Sequence, residues 1–307
     1  MTAVVEGRTV SKWYGQVIAV NNVTFTIGEG VIGLLGPNGA GKSTLMKLIT
    51  GQLRPSQGEV TMFGAPIWNN YALFHRVGFC PEQDSFYERM SGAEFLAALL
   101  QMHGFPEAEV ARRVDAALET VKLSYARDKK IGAYSKGMRQ RIKLAQAIAH
   151  DPEVLILDEP LAGMDPVGRH EIIQMVRQWG RAGKCVIVSS HILHEIEAMT
   201  PTILLMHNGQ VLAEGNVHQI RDLIDKHPHS IYIRCSAPRQ LAEFLVGFPD
   251  VESVRFNPDG NALTVESRKP DDFYRRLPGL MLDHDVELEE ITSPDDNLQA
   301  VFHYLVK

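Results

Sequence analysis

An α/β fold with a parallel sheet, followed by a smaller α+β unit, is what this sequence predicts, and three observations carry the prediction. A glycine-rich loop, Gly36-Pro37-Asn38-Gly39-Ala40-Gly41-Lys42-Ser43-Thr44, joins the apolar run 31–35 to a segment with helical spacing, residues 45–49. Strand, loop, helix is the context in which G-x-x-x-x-G-K-[ST] holds phosphate. A second apolar run, 154–157, ends in Asp158-Glu159, as does a strand covered on both faces. Beyond residue 227 the pattern shifts to short elements in the order βαββαβ, a ferredoxin-like order.

The loop's residue types follow from what it must hold. Glycines let successive N–H groups curl inward at an anion where a side chain would collide. The helix that starts near Lys42 adds unpaired N–H groups and the positive end of its dipole. Lys42 supplies a movable charge for the outer phosphates, and the Ser43 hydroxyl is a ligand for Mg²⁺. A plain tight turn would not need Lys-Ser after its last glycine.

The 307 residues suit one large domain and a small one. No apolar run approaches the roughly 20 residues that span a bilayer, and the N-terminus, with Glu6 and Arg8, lacks the core of a signal peptide; a cytosolic protein is expected. Cys80, Cys185 and Cys235 have no C-x-x-C spacing, which predicts reduced thiols without disulfide or zinc. Residues 228–307 carry 14 Asp+Glu against 8 Lys+Arg, and the first 227 residues balance at 23 of each. Neither part is a basic nucleic-acid surface.

In chain order, residues 9–27 read as two strands around Gly15. Tyr14 stands just before that turn, either as an aromatic on which a base stacks or as an edge-strand tyrosine. Residues 58–64 and 76–80 read as further strands, after which Pro81-Glu82-Gln83-Asp84 leaves the sheet. Ser91-Gly-Ala-Glu94 is a capping box ahead of Phe95, Leu96, Leu99 and Leu100, and a second helix is expected over 106–123 with Val110, Val114, Leu118 and Val121 on one side. Ser135 is a natural N-cap for a third helix whose apolar face is expected to be Met138, Ile142, Ala145 and Ile148, stopped by Asp151-Pro152.

The strand 154–157 pushes two carboxylates out at the sheet edge where parallel sheets bind ligands. Asp158 is placed to hold Mg²⁺, and Glu159, pointing elsewhere, to orient and deprotonate a water. Asp165 is expected to cap a helix with Pro166 at its first position. A buried strand over 184–190 ends at His191; the spacing of His191, His194 and Glu195 fits neither H-E-x-x-H nor H-x-x-E-H, so no zinc site is read there. A hairpin turns at Asn208-Gly209, a helix is expected over 216–226, and His227-Pro228-His229 reads as a linker. Strands at 230–235, 251–256, 262–266 and 286–291 then alternate with helices at 237–248, 270–277 and 295–306.

With these stretches in order, the first 220 or so residues resemble an ATP-binding-cassette (ABC) ATPase, the motor subunit of ABC transporters. The resemblance implies a P-loop NTPase with a RecA-like core, an antiparallel β subdomain and a helical insert at about 86–150, together spanning 1–226, and a C-terminal accessory domain over 227–307. By the same resemblance Tyr14 corresponds to the adenine-stacking aromatic, and Gly36 to Ser43 to the Walker A loop. Asp158 corresponds to the Walker B carboxylate, Glu159 to the catalytic glutamate, Gly163 to Asp165 to the D-loop, and His191 to the histidine that senses the γ-phosphate. Ser135, Lys136 and Gly137 fall on the signature positions, which with Asp165 serve the ATP held by the other cassette of a dimer.

Two departures stand out. The signature usually reads Leu-Ser-Gly-Gly-Gln and here reads Tyr134-Ser135-Lys136-Gly137-Met138, similar to cassettes of ABC-2-type exporters. The Q-loop glutamine position falls on Glu82, with Gln83 as the alternative register; a carboxylate there can still ligate Mg²⁺. The resemblance implies ATP and Mg²⁺ as ligands, a second cassette (a homodimer being the simplest case), an integral-membrane permease as partner, and a place on the cytoplasmic face of the membrane. Export is the favoured direction. An importer motor is the nearer alternative, and a soluble ABC ATPase acting on nucleic acid or ribosomes the more distant one, since the chain has one phosphate loop, no heptad run and no basic surface.

Overall fold

The computed structural model describes residues 3–216 and 228–293, and the chain divides into two compact units, residues 1–216 and 217–307. The boundary expected at 226/227 lies outside the described residues, as do the helix expected over 295–306 and all of the one expected over 216–226 except Asn216, which ends a strand.

The first unit opens with β1 (Val5–Tyr14), β2 (Val17–Ile27) and β3 (Gly30–Leu35), then α1 (Lys42–Ile49), β4 (Gln57–Met62), β5 (Ala65–Pro66), α2 (Tyr71–Phe74) and β6 (Val77–Cys80). Three helices follow, α3 (Gly92–Met102), α4 (Glu107–Thr120) and α5 (Lys136–Ile148). The unit closes with β7 (Val154–Leu157), α6 (Pro166–Arg181), β8 (Cys185–Ser190), α7 (Leu193–Glu197), β9 (Thr202–His207) and β10 (Gln210–Asn216). Two sheets result: an antiparallel one in the order β2-β1-β4-β5, and a six-stranded one in the order β10-β9-β3-β8-β7-β6. In the second sheet every pairing except that of β10 with β9 is parallel. Parallel strands buried on both faces tolerate unbroken apolar runs, and every residue of β7 and of β8 is buried. Leu45, Met46, Leu48 and Ile49 of α1 share one core with Val10, Phe25 and Met62 of the antiparallel sheet, so the helix behind the phosphate loop is anchored between two layers.

Local rules hold at the joints. Ser91 and Glu94 make a complete capping box at α3, and Asn208 and Gly209, at φ of 47° and 77°, make the two-residue turn between β9 and β10 that matches strand twist. The apolar face expected on α5 needs correction. Ile142 and Ala145 are buried, but so are Gln140, Lys143, Leu144 and Ala147, whereas Met138 and Ile148 are only half covered. α5 is enclosed on more than one side, and its buried polar residues are accepted because main-chain carbonyls meet them.

The second unit contains β11 (His229–Cys235), α8 (Pro238–Leu245), β12 (Val251–Phe256), β13 (Ala262–Ser267), α9 (Pro270–Asp283) and β14 (Leu288–Thr292). They form one antiparallel sheet in the order β12-β13-β11-β14, and Ile231, Ile233, Leu241, Leu245, Leu263, Val265, Phe273 and Leu277 share its core. The helix expected to stop at 277 instead runs through Pro278 to Asp283. An interior proline removes a hydrogen bond and clashes with the preceding turn, at about 3 kcal/mol; burial of Phe273, Leu277 and Met281, spaced one turn apart, offsets it.

In the first unit His75, His103 and His150 cluster near the start of β6. The rings of His103 and His150 stack 4.3 Å apart, and His75 lies edge-on to His103 at 5.4 Å. His150 Nε2 lies 3.0 Å from the Val77 carbonyl oxygen. Burial, aided by His103, His75 and Arg113, pushes His150 down to about 4 against the opposing carbonyl bond. Its folded value lies below the unfolded one of about 6.5, so the unfolded chain takes up the proton first. The stability this ring contributes is full above that range and is lost as pH falls toward 4. Melting temperature followed from pH 7 to pH 4 is expected to fall less steeply in His150→Gln, which keeps a donor for Val77 without a titrating ring.

Candidate functional site

Because β3, β6, β7 and β8 are parallel neighbours, their C-terminal ends emerge along one sheet edge, and each delivers a polar group there. β3 runs into the glycine loop, β6 into Glu82, β7 into Asp158 and Glu159, and β8 into His191. A cleft of about 500 Å³ opens at this edge, lined by Asn38, Gly39, Ala40, Gly41, Lys42, Ser43, Thr44, Glu82, Asp158 and Glu159 together with Val17, Ile18 and Ala19 of β2. Gly41, the N-cap of α1, has φ of 101°, and a Cβ there would run into the Ala19 carbonyl. Glycine is required at this position by both the conformation and the packing.

The buried ammonium of Lys42 donates to the carbonyl oxygens of Gly36, at 2.6 Å, and Pro37, at 3.2 Å, and lies 4.0 Å from Glu159 Oε1. Burial lowers its pKa, opposed by the charges of Glu159, Asp158 and Glu82. Glu159 is itself buried, and at φ of 49° it occupies the left-handed region that bulky residues rarely enter. Burial raises its carboxyl above the ordinary carboxylate range, opposed by the hydrogen bond and charge of His191 and the charge of Lys42. His191 Nδ1 sits 2.9 Å from Glu159 Oε1. The sheet therefore sets a cation, two acidic groups and an imidazole around one phosphate-sized loop. This arrangement can bind a polyanion and polarise a water beside it.

Several residues that position this group were not singled out from sequence. The Ser189 hydroxyl donates to Asp158 Oδ1 at 2.6 Å and accepts from the Glu159 amide at 2.9 Å, so one buried serine orients both acidic residues. Gln140 Nε2 donates to the Pro160 carbonyl at 2.8 Å. Lys143 Nζ donates to the Glu82 carbonyl at 2.7 Å and pairs with Asp84 Oδ1 at 3.1 Å. α5 thus braces two of the loops that enter the cleft. Val17 and Ile18, exposed apolar residues on the cleft wall, stand two and three residues past Gly15. That position was the available signal.

Of the residues read from sequence, Gly36, Pro37, Tyr14, Gln83 and His191 do not line the cleft, whereas Glu82 does. Tyr14 is 47% exposed, with Lys12 Nζ 5.7 Å from its ring centre. Ser135 caps α5 and accepts from the Met138 amide at 3.3 Å. Asp165 occupies the N-cap position of α6 but makes no side-chain cap bond; Pro166 stands at its first turn. Lys136 lies against Gly163, whose φ of 71° and lack of a side chain admit it. Lys136 and Gly137 thus adjoin Gly163 and Met164 of the loop that leads to Asp165, and Ser135, Lys136, Gly137 and Asp165 all stand outside the cleft. Cys80, Cys185 and Cys235 are free and buried, and burial pushes the first two thiols up to about 12.

The family model for the ABC transporter matches residues 20–162. The chain is 31% identical over 297 residues to the Nod factor export ATP-binding protein I of Rhizobium meliloti, which covers 91% of this chain and 89% of that protein. It is 38% identical over 223 residues to the bacitracin transport ATP-binding protein BcrA of Enterococcus faecalis, which covers 72% and 71%. Among solved structures, an ATP binding subunit of an ABC transporter superposes with a TM-score of 0.66 at 29% identity, covering 72% of this chain and 93% of that chain.

Ser189→Ala leaves Asp158 and the Glu159 amide without their shared partner. Denaturant unfolding is expected to show a loss of about 1–3 kcal/mol, the cost of stranding buried polar groups.

Proposed function

Since this chain belongs to the ABC transporter family of ATP-binding proteins and is an ATPase motor subunit by that membership, we propose that its cleft binds ATP as one half of a composite site. The observation that carries this reading is the convergence of Gly39 to Thr44, Asp158, Glu159 and Glu82 on one cleft, while Ser135 and Gly137 stand apart from it. The glycine loop and Lys42 bind the phosphates. Ser43, Asp158 and Glu82 form an all-oxygen donor set suited to a hard cation, and Mg²⁺ held there neutralises phosphate charge when bound.

Glu159 orients the attacking water and accepts its proton, favoured by a carboxyl whose burial makes it a stronger base than an exposed one. His191 holds Glu159 in place through Oε1 and faces the terminal phosphate. Tyr14 supports the base, with Val17 and Ile18 as the apolar wall beside it. Ser135, Lys136, Gly137 and Asp165 complete the site of a second cassette, and in the simplest assembly that cassette is a copy of this chain.

No helix among the described residues is long and apolar enough to cross a membrane. By family membership, the dimer's closing and opening act on an integral-membrane permease at the cytoplasmic face. The export and antibiotic-transport relatives favour an ABC-2-type exporter; the Nod factor export match extends over 91% of the chain and so takes in most of the second unit, for which we propose an accessory role at residues 227–307.

Glu159→Gln is expected to keep ATP binding, lose turnover by about 10²-fold or more, and accumulate an ATP-bound dimer in size-exclusion chromatography. Undiminished turnover would contradict the role given to this carboxylate. Lys42→Ala is expected to weaken ATP affinity by about ten- to a hundred-fold, the worth of a charged contact, in equilibrium binding.

A further inference from the structure

We propose that Glu195 is a positioning residue through which the loop 163–165 sets the orientation of His191. Glu195 lies on α7 and is 94% buried, with 6% of its surface exposed. Its two oxygens serve different elements. Oε2 accepts from the Ser190 hydroxyl at 2.9 Å, and Oε1 pairs with Arg169 Nη1 of α6 at 3.2 Å. The same guanidinium turns its Nε to the Met164 carbonyl at 3.2 Å, so one rigid fork joins the loop to the carboxylate. The Ser190 hydroxyl also accepts from the Ile192 amide at 3.0 Å. The residues on both sides of His191 are therefore tied to the same buried carboxylate, and His191 in turn meets Glu159 Oε1.

A path of polar contacts runs from the Met164 carbonyl through Arg169 and Glu195 to Ser190 and Ile192; the backbone of these two residues carries His191, which meets Glu159. Simple docking of α7 on α6 does not need it, because apolar side chains achieve docking without the cost of desolvating a carboxylate. What the charged path adds is directional coupling. A shift of the Met164 carbonyl redirects the guanidinium, which re-aims the carboxylate and, through Ser190, the backbone that carries the imidazole. This inference rests on the proposed function for its consequence: the loop that faces the second cassette then reports its arrival to the partner of Glu159.

Nuclear magnetic resonance of the full chain labelled with ¹⁵N-histidine tests the path without relying on turnover. His191 is assigned through His191→Ala among the 12 histidines. Arg169→Ala and Glu195→Gln are each expected to move both ring-nitrogen resonances of His191 while those of His103 stay in place; unmoved His191 signals in both variants overturn the proposal. In steady-state ATP hydrolysis Glu195→Gln is expected to lower kcat by about two- to thirty-fold, the range of coupling through such networks, with KM unchanged. Added to His191→Ala it is expected to cause no further loss. Equal losses with and without His191, or a rise in KM alone, assign Glu195 a merely structural role and overturn the proposal. Failure of Glu159→Gln to reduce turnover would defeat the proposed function while leaving the resonance test of the path intact.

Discussion

Everything at the sheet edge depends on keeping acidic groups buried beside a buried ammonium. Burial lowers the pKa of Lys42 and raises that of Glu159; the charges of Glu159, Asp158 and Glu82 oppose the first shift, and His191 followed by Lys42 opposes the second. An isolated charge taken from water shifts its pKa toward the neutral form, and the opposing charges here counter that shift. The balance requires the glycine loop, β7 and β8 to end at the same level. Only the parallel register provides this, because it sets Leu35 beside Ser190 and Leu157 beside Val188.

Buried polar contacts beneath the cleft hold the loops that leave these strand ends. Ser189 holds the two acidic residues together, and α5 reaches around the edge with Gln140 and Lys143 to the carbonyls of Pro160 and Glu82. A helix that starts at Ser135 and braces the loops of the cleft links two surfaces, the cleft wall and the face that carries Ser135 and Gly137. In the proposed composite site those surfaces cooperate between two cassettes, and here a single helix connects them. The strained backbone at Glu159 fits the same picture: an unfavourable conformation persists where the surroundings over-determine it, and here the Ser189 hydroxyl, His191 and Lys42 all converge on that residue.

Membership in the ABC transporter family fixes the kind of chemistry, and the relatives that match most of the chain bear on direction of transport more than on cargo. The cleft offers an apolar wall, a glycine loop and carboxylates, the set on which the proposed nucleotide site rests. The second unit is built on different terms, an antiparallel sheet whose core takes in Phe273, Leu277 and Met281 of α9, and residues 228–307 carry an excess of acidic side chains.

The phosphate loop, the Asp158-Glu159 strand end, the capping box at Ser91, the Asn208-Gly209 turn and the alternation of elements beyond residue 228 were all legible in the sequence. Each is local: the residue types and their spacing carry the chemistry within a few positions of one another. What tertiary structure alone decided is which polar side chains lie inside and what they hold. Gln140 and Lys143 were concealed by a periodicity that marked Met138 and Ile148 as core, Ser189 and Glu195 by their ordinary surroundings, and the passage of α9 through Pro278 by a breaker that burial overrode. The reason is common to all of them. A buried polar group is defined by its partner, and these partners are carbonyls, hydroxyls and carboxylates brought from other elements by the fold.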